Sequence, residues 1–351
     1  MSSVFAKCCS LIAIGGVILL SACRGGNQSQ PGTSGKDSAS VHEVDTISPR
    51  IEFFTKRIAA NPKDADSYWK RGMLEAHIKQ NSQALSDYNQ AIKIDSTKAD
   101  YYYTLADLDF TMGHTRDSKD AFEKCIQLDP KNTKAILKLA ELYFYVKRYS
   151  DAIDNIDKTL KINPYIAKAY FMKGMIFLEE HDTSKAVSSM QTAVEQDSKY
   201  FDAYVELGLI YARKGNGAAL DYFEDAINAE PNNPEGYYDK GKFYQDMMDY
   251  DNAIKTYQQL LQVNADYKFA LYNLGVIYYI AKQDYKPAAD YFSKAIHADS
   301  TYALAYFGRG NCYEQLKEYN KAMADFSAAM RYNPNLSAAS DAMKELKDKM
   351  K

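Results

Sequence analysis

The 351-residue chain has little that would tie it to chemistry. Its five histidines, His42, His77, His114, His181 and His297, are scattered. None forms a His-Glu-x-x-His run or a His/Cys cluster of zinc spacing, so no metal site is expected. Of the five cysteines three fall within the first 23 residues, leaving Cys125 and Cys312, whose separation speaks against a disulfide between them. The glycines form no phosphate-cradling loop after a strand, and the carboxylates all read as helix-surface or first-turn residues. No enzyme and no cofactor is expected. The formal charge is only -3 and no long Lys/Arg stripe exists to displace counterions, which argues against a nucleic-acid partner.

What the chain does have is 46% apolar and 25% charged residues, a composition suited to a folded body. A prior of about 150 residues per domain would suggest two domains. A repeat architecture escapes that prior, because each unit is buried only by its neighbours. Tyrosine stands out, with 30 copies against a single tryptophan, Trp69.

The front end reads as processing. Lys7 supplies one positive charge, and Leu11 to Leu20 is an apolar run too short to span a bilayer comfortably but right for a signal segment. Leu20-Ser-Ala-Cys23 follows at once and resembles the lipobox of bacterial lipoproteins, of a Gram-negative and Bacteroidota-like kind. That resemblance implies cleavage after residue 22 and a lipidated Cys23, whose two or three acyl chains would anchor firmly where one would be marginal. An ordinary secretory peptide, or a membrane anchor ending in cysteine, is the alternative. Arg24 stands where, in the better-known sorting systems, Asp retains lipoproteins in the inner membrane. The resemblance therefore favours the outer membrane, facing the periplasm, with surface display left open. Residues 23–48 hold almost no apolar side chains and are expected to form a flexible tether.

From Ala65 to Leu336 the chain carries a 34-residue period. Ala65–Lys98 places Tyr68, Gly72, Ala84, Tyr88 and Ala91 at positions 4, 8, 20, 24 and 27 of the period. Phe201–Asn233 has Tyr204, Gly208, Tyr211, Ala219, Phe223, Ala226 and Pro231, with one residue lost near Gly215-Asn-Gly217. Lys268–Tyr302 gains one residue near Lys286-Pro287, and Ala303–Leu336 supplies Tyr306, Gly310, Tyr313, Ala322, Phe326, Ala329 and Pro334. Small residues at 8, 20 and 27 let two helices approach, aromatics fill the space between them, and proline near 32 ends the second helix. The pattern resembles the tetratricopeptide repeat (TPR) family in eight successive units. The implied fold is all-α, a right-handed superhelical solenoid of about eight helix-turn-helix repeats with terminal capping helices. Residues 49–64 are expected to cap the N-terminal face, with a helix over about Pro49–Ala60. Residues 337–351 should cap the other end, with Ala338, Ala342, Leu346 and Met350 on one side.

In this family the first helix of each pair lines a concave groove, chiefly at positions 2, 5, 9, 12 and 13. The resemblance places Trp69, Tyr103, Phe110, Phe144, Phe171, Tyr238, Tyr272, Tyr279 and Phe307 on that wall, suited to anchoring a helix or an extended peptide. Some of these side chains can equally pack against the next repeat. The family's Lys/Asn carboxylate clamp is absent, because position 5 never carries lysine. Position 2 changes sign along the chain, from Asp66 and Asp100 to Lys134 and Lys168, then to Asp202 and Glu235. The expected function is a non-catalytic adaptor in the bacterial envelope that holds a protein or peptide and touches membrane only through its lipid anchor. Two alternatives stand beside it: a structural lipoprotein that self-associates as a homodimer, and a carrier of glycan or peptidoglycan fragments.

Overall fold

A computed structural model describes residues 38–350, with side chains from Ile47 onward. The expected signal segment 1–22, the lipidated Cys23 and the tether up to residue 37 lie outside the described residues. Those residues form eighteen helices and divide into two compact units, one ending at Ser198 and the other beginning at Lys199. No described helix is long and apolar enough to cross a membrane.

The N-terminal unit opens with α1 (Ser38–Ala60) and continues as four helix pairs. These are α2 (Ala65–His77) with α3 (Asn81–Ile94), and α4 (Ala99–Thr111) with α5 (Thr115–Leu128). Next come α6 (Thr133–Tyr145) with α7 (Tyr149–Ile162), and α8 (Ala167–Glu179) with α9 (Thr183–Gln196). The C-terminal unit pairs α10 (Phe201–Ala212) with α11 (Ala219–Ala229), and α12 (Pro234–Asp246) with α13 (Tyr250–Val263). It then pairs α14 (Lys268–Ile280) with α15 (Tyr285–Ala298) and α16 (Ala303–Gln315) with α17 (Tyr319–Tyr332), and ends on α18 (Ser337–Lys349).

The 34-residue pattern accounts for this geometry residue by residue. A Cβ added at Gly208 would sit 2.4 Å from the Phe223 ring, and one at Gly241 would sit 2.7 Å from Tyr257. A small residue at position 8 lets the position-24 side chain lie flat on its partner helix, glycine in six repeats and the fully buried Ala106 and Ala140 in the other two. Ala84, Ala91, Ala152, Ala186, Ala253, Ala322 and Ala329 have no exposed surface, as positions 20 and 27 require. The turn inside each pair carries one left-handed residue in all eight repeats, at position 15 in seven and at position 16 (Gln283) in the repeat with the extra residue. Gly113 (φ +80) and Gly215 (φ +63) meet that demand without a Cβ. Lys79, Lys147, His181, Met248, Gln283 and Lys317 adopt it with φ of 50–62. The next amide reaches back to the first helix, as in Gln80 N–H to the Glu75 carbonyl (2.8 Å) and Glu318 N–H to the Tyr313 carbonyl (2.8 Å). Between repeats an Asp or Asn side chain takes the amide two residues on, as Asp95 does from Thr97 (2.9 Å) and Asn163 from Tyr165 (3.0 Å).

The ends differ in detail from expectation. The first helix begins at Ser38, eleven residues before Pro49, and so covers the last part of the segment expected as tether. Pro49 lies within it and has no N–H for the carbonyl one turn earlier, a loss an end helix tolerates better than a core one. Ile47 and Ile58 are buried beneath it, whereas Phe53 is exposed. At the other terminus Ala339, Ala342 and Leu346 are buried and Ala338 is half-buried. Met350 is exposed, beyond the last turn that touches the core.

Candidate functional site

Three first helices of the C-terminal unit are preceded by tyrosine where a capping Asp or Asn would be usual, Tyr200 before α10 among them. Tyr267 precedes α14 and Tyr302 precedes α16, and neither side chain caps its helix. Freed from capping, both rings turn onto the wall made by α12 and α14. Tyr238 lies 5.5 Å from Tyr267, 6.2 Å from Phe269 and 6.2 Å from Tyr257, centroid to centroid. Tyr302 lies 5.3 Å from Tyr272 and 6.1 Å from Phe269, and Tyr272 continues to Phe292 at 5.6 Å. These spacings suit tilted and edge-on aromatic pairs. The result is one continuous aromatic surface with Phe269 at its exposed edge.

The polar ends of these rings are held with varying success. Asn273 donates to the Tyr257 hydroxyl (3.0 Å), which donates to Gln245 (3.0 Å). The Tyr272 hydroxyl is buried and has no hydrogen-bond partner among the described residues. Burial, then the neighbouring phenols and carboxylates, pushes the ionisation of Tyr238, Tyr267, Tyr272 and Tyr302 upward, so all four stay neutral donors. Lys268 lies over two of the rings, 5.1 Å from the Phe269 centroid and 5.6 Å from that of Tyr302. Asp299 receives it at 2.7 Å and is held down to about 2 by that bond. Beside the aromatic surface is a narrow apolar crevice with room for about one water molecule, lined by Tyr272, Val276, Tyr279, Ile280, Phe292, Gly308 and Asn311. Gly308 lies at its floor with the Phe292 ring packed against it, so close that an added Cβ would meet the ring at 2.6 Å.

The residues expected on the groove wall fall into three groups. Tyr238, Tyr272 and Tyr279 come together on this face, Tyr272 and Tyr279 lining the crevice itself. Trp69, Tyr103, Phe110, Phe144 and Phe171, in the N-terminal unit, are half-buried. Trp69 is tied to the next repeat by its indole N–H to Thr104 (3.0 Å) and by Tyr101 at 5.5 Å. Tyr103 packs on Phe122 (6.0 Å), Phe110 on Tyr145 (5.8 Å) and Phe144 on Tyr149 (6.0 Å). Phe307 belongs to the core: it is 3% exposed and rests 5.8 Å from Phe326 beneath the capping helix, so it offers no surface to a ligand. Tyr267, Phe269 and Tyr302 were not anticipated, although aromatic residues at the last position of two repeats and at position 2 of one were visible signals.

Of the position-2 charges, Asp66 accepts from the Tyr101 hydroxyl and Lys168 is bonded to Glu141 at 3.1 Å, whereas Asp100, Lys134 and Asp202 are exposed. Cys125 and Cys312 are both buried free thiols, and burial pushes Cys125 up to about 11. Among the described residues no three His, Cys, Asp or Glu side chains are grouped to hold a metal ion.

Models of the tetratricopeptide repeat match residues 65–98, 99–132, 171–236, 238–303 and 303–336, more than half of the chain. No curated protein matches. Among solved structures the C-terminal part of a TPR repeat-containing protein from Cytophaga hutchinsonii is 20% identical, with a TM-score of 0.58, over 68% of this chain and 98% of that one. YrrB, described as a TPR protein with an unusual peptide-binding site, is 27% identical with a TM-score of 0.42, over 52% of this chain and 95% of that one. The Cut9–Hcn1 hetero-tetramer of APC/C is 18% identical with a TM-score of 0.46, over 84% of this chain and 58% of that one.

Proposed function

Because the chain belongs to the tetratricopeptide repeat family, whose repeats generally serve as protein-interaction scaffolds rather than catalysts, we propose that it is an envelope adaptor that grips a protein or peptide on the α12–α14 wall. The observation that carries this reading is the aromatic surface of Tyr238, Tyr267, Phe269, Tyr272 and Tyr302. It ends in an exposed phenylalanine and adjoins a narrow apolar crevice. Rigid amphipathic rings of this kind supply contact area at low entropic cost and dominate many interfaces.

The membrane half of the proposal rests on the sequence. Leu20-Ser-Ala-Cys23 supports lipidation of Cys23, and Arg24 supports an outer-membrane address facing the periplasm. On this reading the anchor keeps the repeats at the membrane while the partner provides whatever activity is recruited or assembled there. Labelling cells with a palmitate analogue tests the anchor, with incorporation expected in the native protein and lost in Cys23→Ala. Crosslinking in those cells followed by pull-down tests the grip. One dominant heterologous protein, lost on Tyr238→Ala, is expected; self-crosslinks alone, unchanged by that substitution, would favour the self-associating alternative.

A further inference from the structure

Among the second helices of the C-terminal unit, α13 and α15 flank an open groove of about 750 Å³, within the size range of sites that hold small ligands. Its floor is apolar, made of Leu261 from α13 and the almost fully buried Leu271 from α14. Its walls are polar and largely unengaged. Gln258 and Gln262 stand one turn apart on α13, both exposed and neither side chain hydrogen-bonded among the described residues. Lys294 and His297 stand on α15, and Asp266 stands in the turn after α13. Among the described residues Lys294 makes no ion pair, either with Asp266 or with Asp290 one turn before it. Other exposed lysines of this unit do find a carboxylate, as Lys282 finds Asp251 and Lys321 finds Glu318. The Lys294 ammonium lies instead 5.1 Å from the centroid of Tyr291, which is itself stacked on Tyr278 at 5.4 Å. The ring holds the cation beside the groove without neutralising it. Ser293 takes no part, because its hydroxyl donates to the Ala289 carbonyl (2.8 Å) and accepts from Arg309 (3.1 Å).

Spacing and charge together say what fits. Gln258 and Gln262 are separated by about 6 Å of helix rise, and two residues of extended chain cover about 6.6 Å. Each side-chain amide offers a donor and an acceptor, as a peptide group does, so the pair matches alternate peptide groups of one strand. The charges around the floor are of both signs and sit on different elements, so a ligand of one sign alone would meet a like charge. We infer that this groove is a second binding site, built from other residues than the aromatic wall, for a short zwitterionic peptide. The peptide's free carboxylate meets Lys294, with the His297 imidazole beside it, and its free ammonium meets Asp266. Its main chain bonds to Gln258 and Gln262, and a small aliphatic side chain lies on Leu261 and Leu271.

The probe is a series of alanine oligomers, two to six residues long with free termini, titrated against the full chain by saturation-transfer difference NMR. At least one length should bind. Acetylating its amino end or amidating its carboxyl end should each weaken it about two- to fivefold, the magnitude of an exposed charge pair. Lys294→Met keeps the stem over Tyr291 and removes the charge, so the same oligomer should bind more weakly and amidation should have no further effect. Asp266→Asn should do the same for acetylation. Both positions are exposed, and both variants should melt with the native protein. Absence of transfer to every length overturns the inference, and so does an affinity indifferent to blocking either end. A signal lost on Tyr238→Ala but retained in Lys294→Met would place the peptide on the aromatic wall, overturning this inference and leaving the grip proposed above intact.

Discussion

Glu75 occupies position 11 of the first repeat, where six of the eight repeats carry an aromatic ring such as Tyr143, Tyr244 or Tyr313. It is 7% exposed, and its second carboxylate oxygen has no hydrogen-bond partner among the described residues. The nearest cation, Arg71, is already forked onto Asp87 through contacts of 2.7 and 2.8 Å and lies 3.8 Å from Glu75. Burial, followed by the Asp87 charge and against the pull of Arg71, raises Glu75 from 4.5 to about 7. The folded value therefore exceeds the unfolded one. The proton bound by Glu75 favours the fold fully below about pH 4.5, and that stability is lost as pH rises through about 7. At about 1.4 kcal/mol per unit the loss has a ceiling of roughly 3 kcal/mol. Glu75→Gln retains the shape of the protonated acid and cannot ionise. Its thermal midpoint should match that of the native protein near pH 4.5 and exceed it by about 5 °C or more at pH 8.5. Melting curves of both proteins across that range make the measurement. Parallel profiles, or a native protein that gains on Glu75→Gln as pH rises, would refute the reasoning.

Other expectations follow from packing. Gly208→Ala drives a methyl into the Phe223 ring and should cost about 1–3 kcal/mol by chemical denaturation, whereas Gly217→Ala, with open space around it, should cost little. Asp325→Asn breaks the bidentate contact to Arg309 (2.7 and 2.8 Å) with both partners largely covered, and should cost about 3 kcal/mol in the same assay. Cys125 and Cys312 should react with a disulfide reagent at pH 8 only as fast as the protein opens, and at full rate in denaturant.

The repeat framework was legible because it is written in positions that only one kind of side chain can fill. Gly72, Gly174, Gly241 and Gly310 each sit under a position-24 side chain, and Pro130, Pro164, Pro231 and Pro334 stand in the turns between repeats. The wall was less legible. Position 5 reads alike at Tyr238 and Phe307, but the capping helix α18 packs over the last repeat and turns Phe307 into core. Tyr267 and Tyr302 lie outside the helices that the pattern describes, so only the fold could show that they join Tyr238 and Tyr272. Left-handed backbone at Lys79, Lys147, His181 and Lys317 was equally hidden, because position 15 is glycine only at Gly113 and Gly215. The early start of α1 was missed because composition alone separates charged helix poorly from polar tether.

The most direct test of the adaptor reading is photocrosslinking in cells from two exposed positions of the full chain, Phe269→benzoylphenylalanine on the wall and Tyr165→benzoylphenylalanine on a turn of the other unit. The account predicts one heterologous adduct from position 269, absent from position 165 and lost when Tyr238→Ala is added. Equal adducts from both positions, or self-adducts alone from position 269, would contradict it.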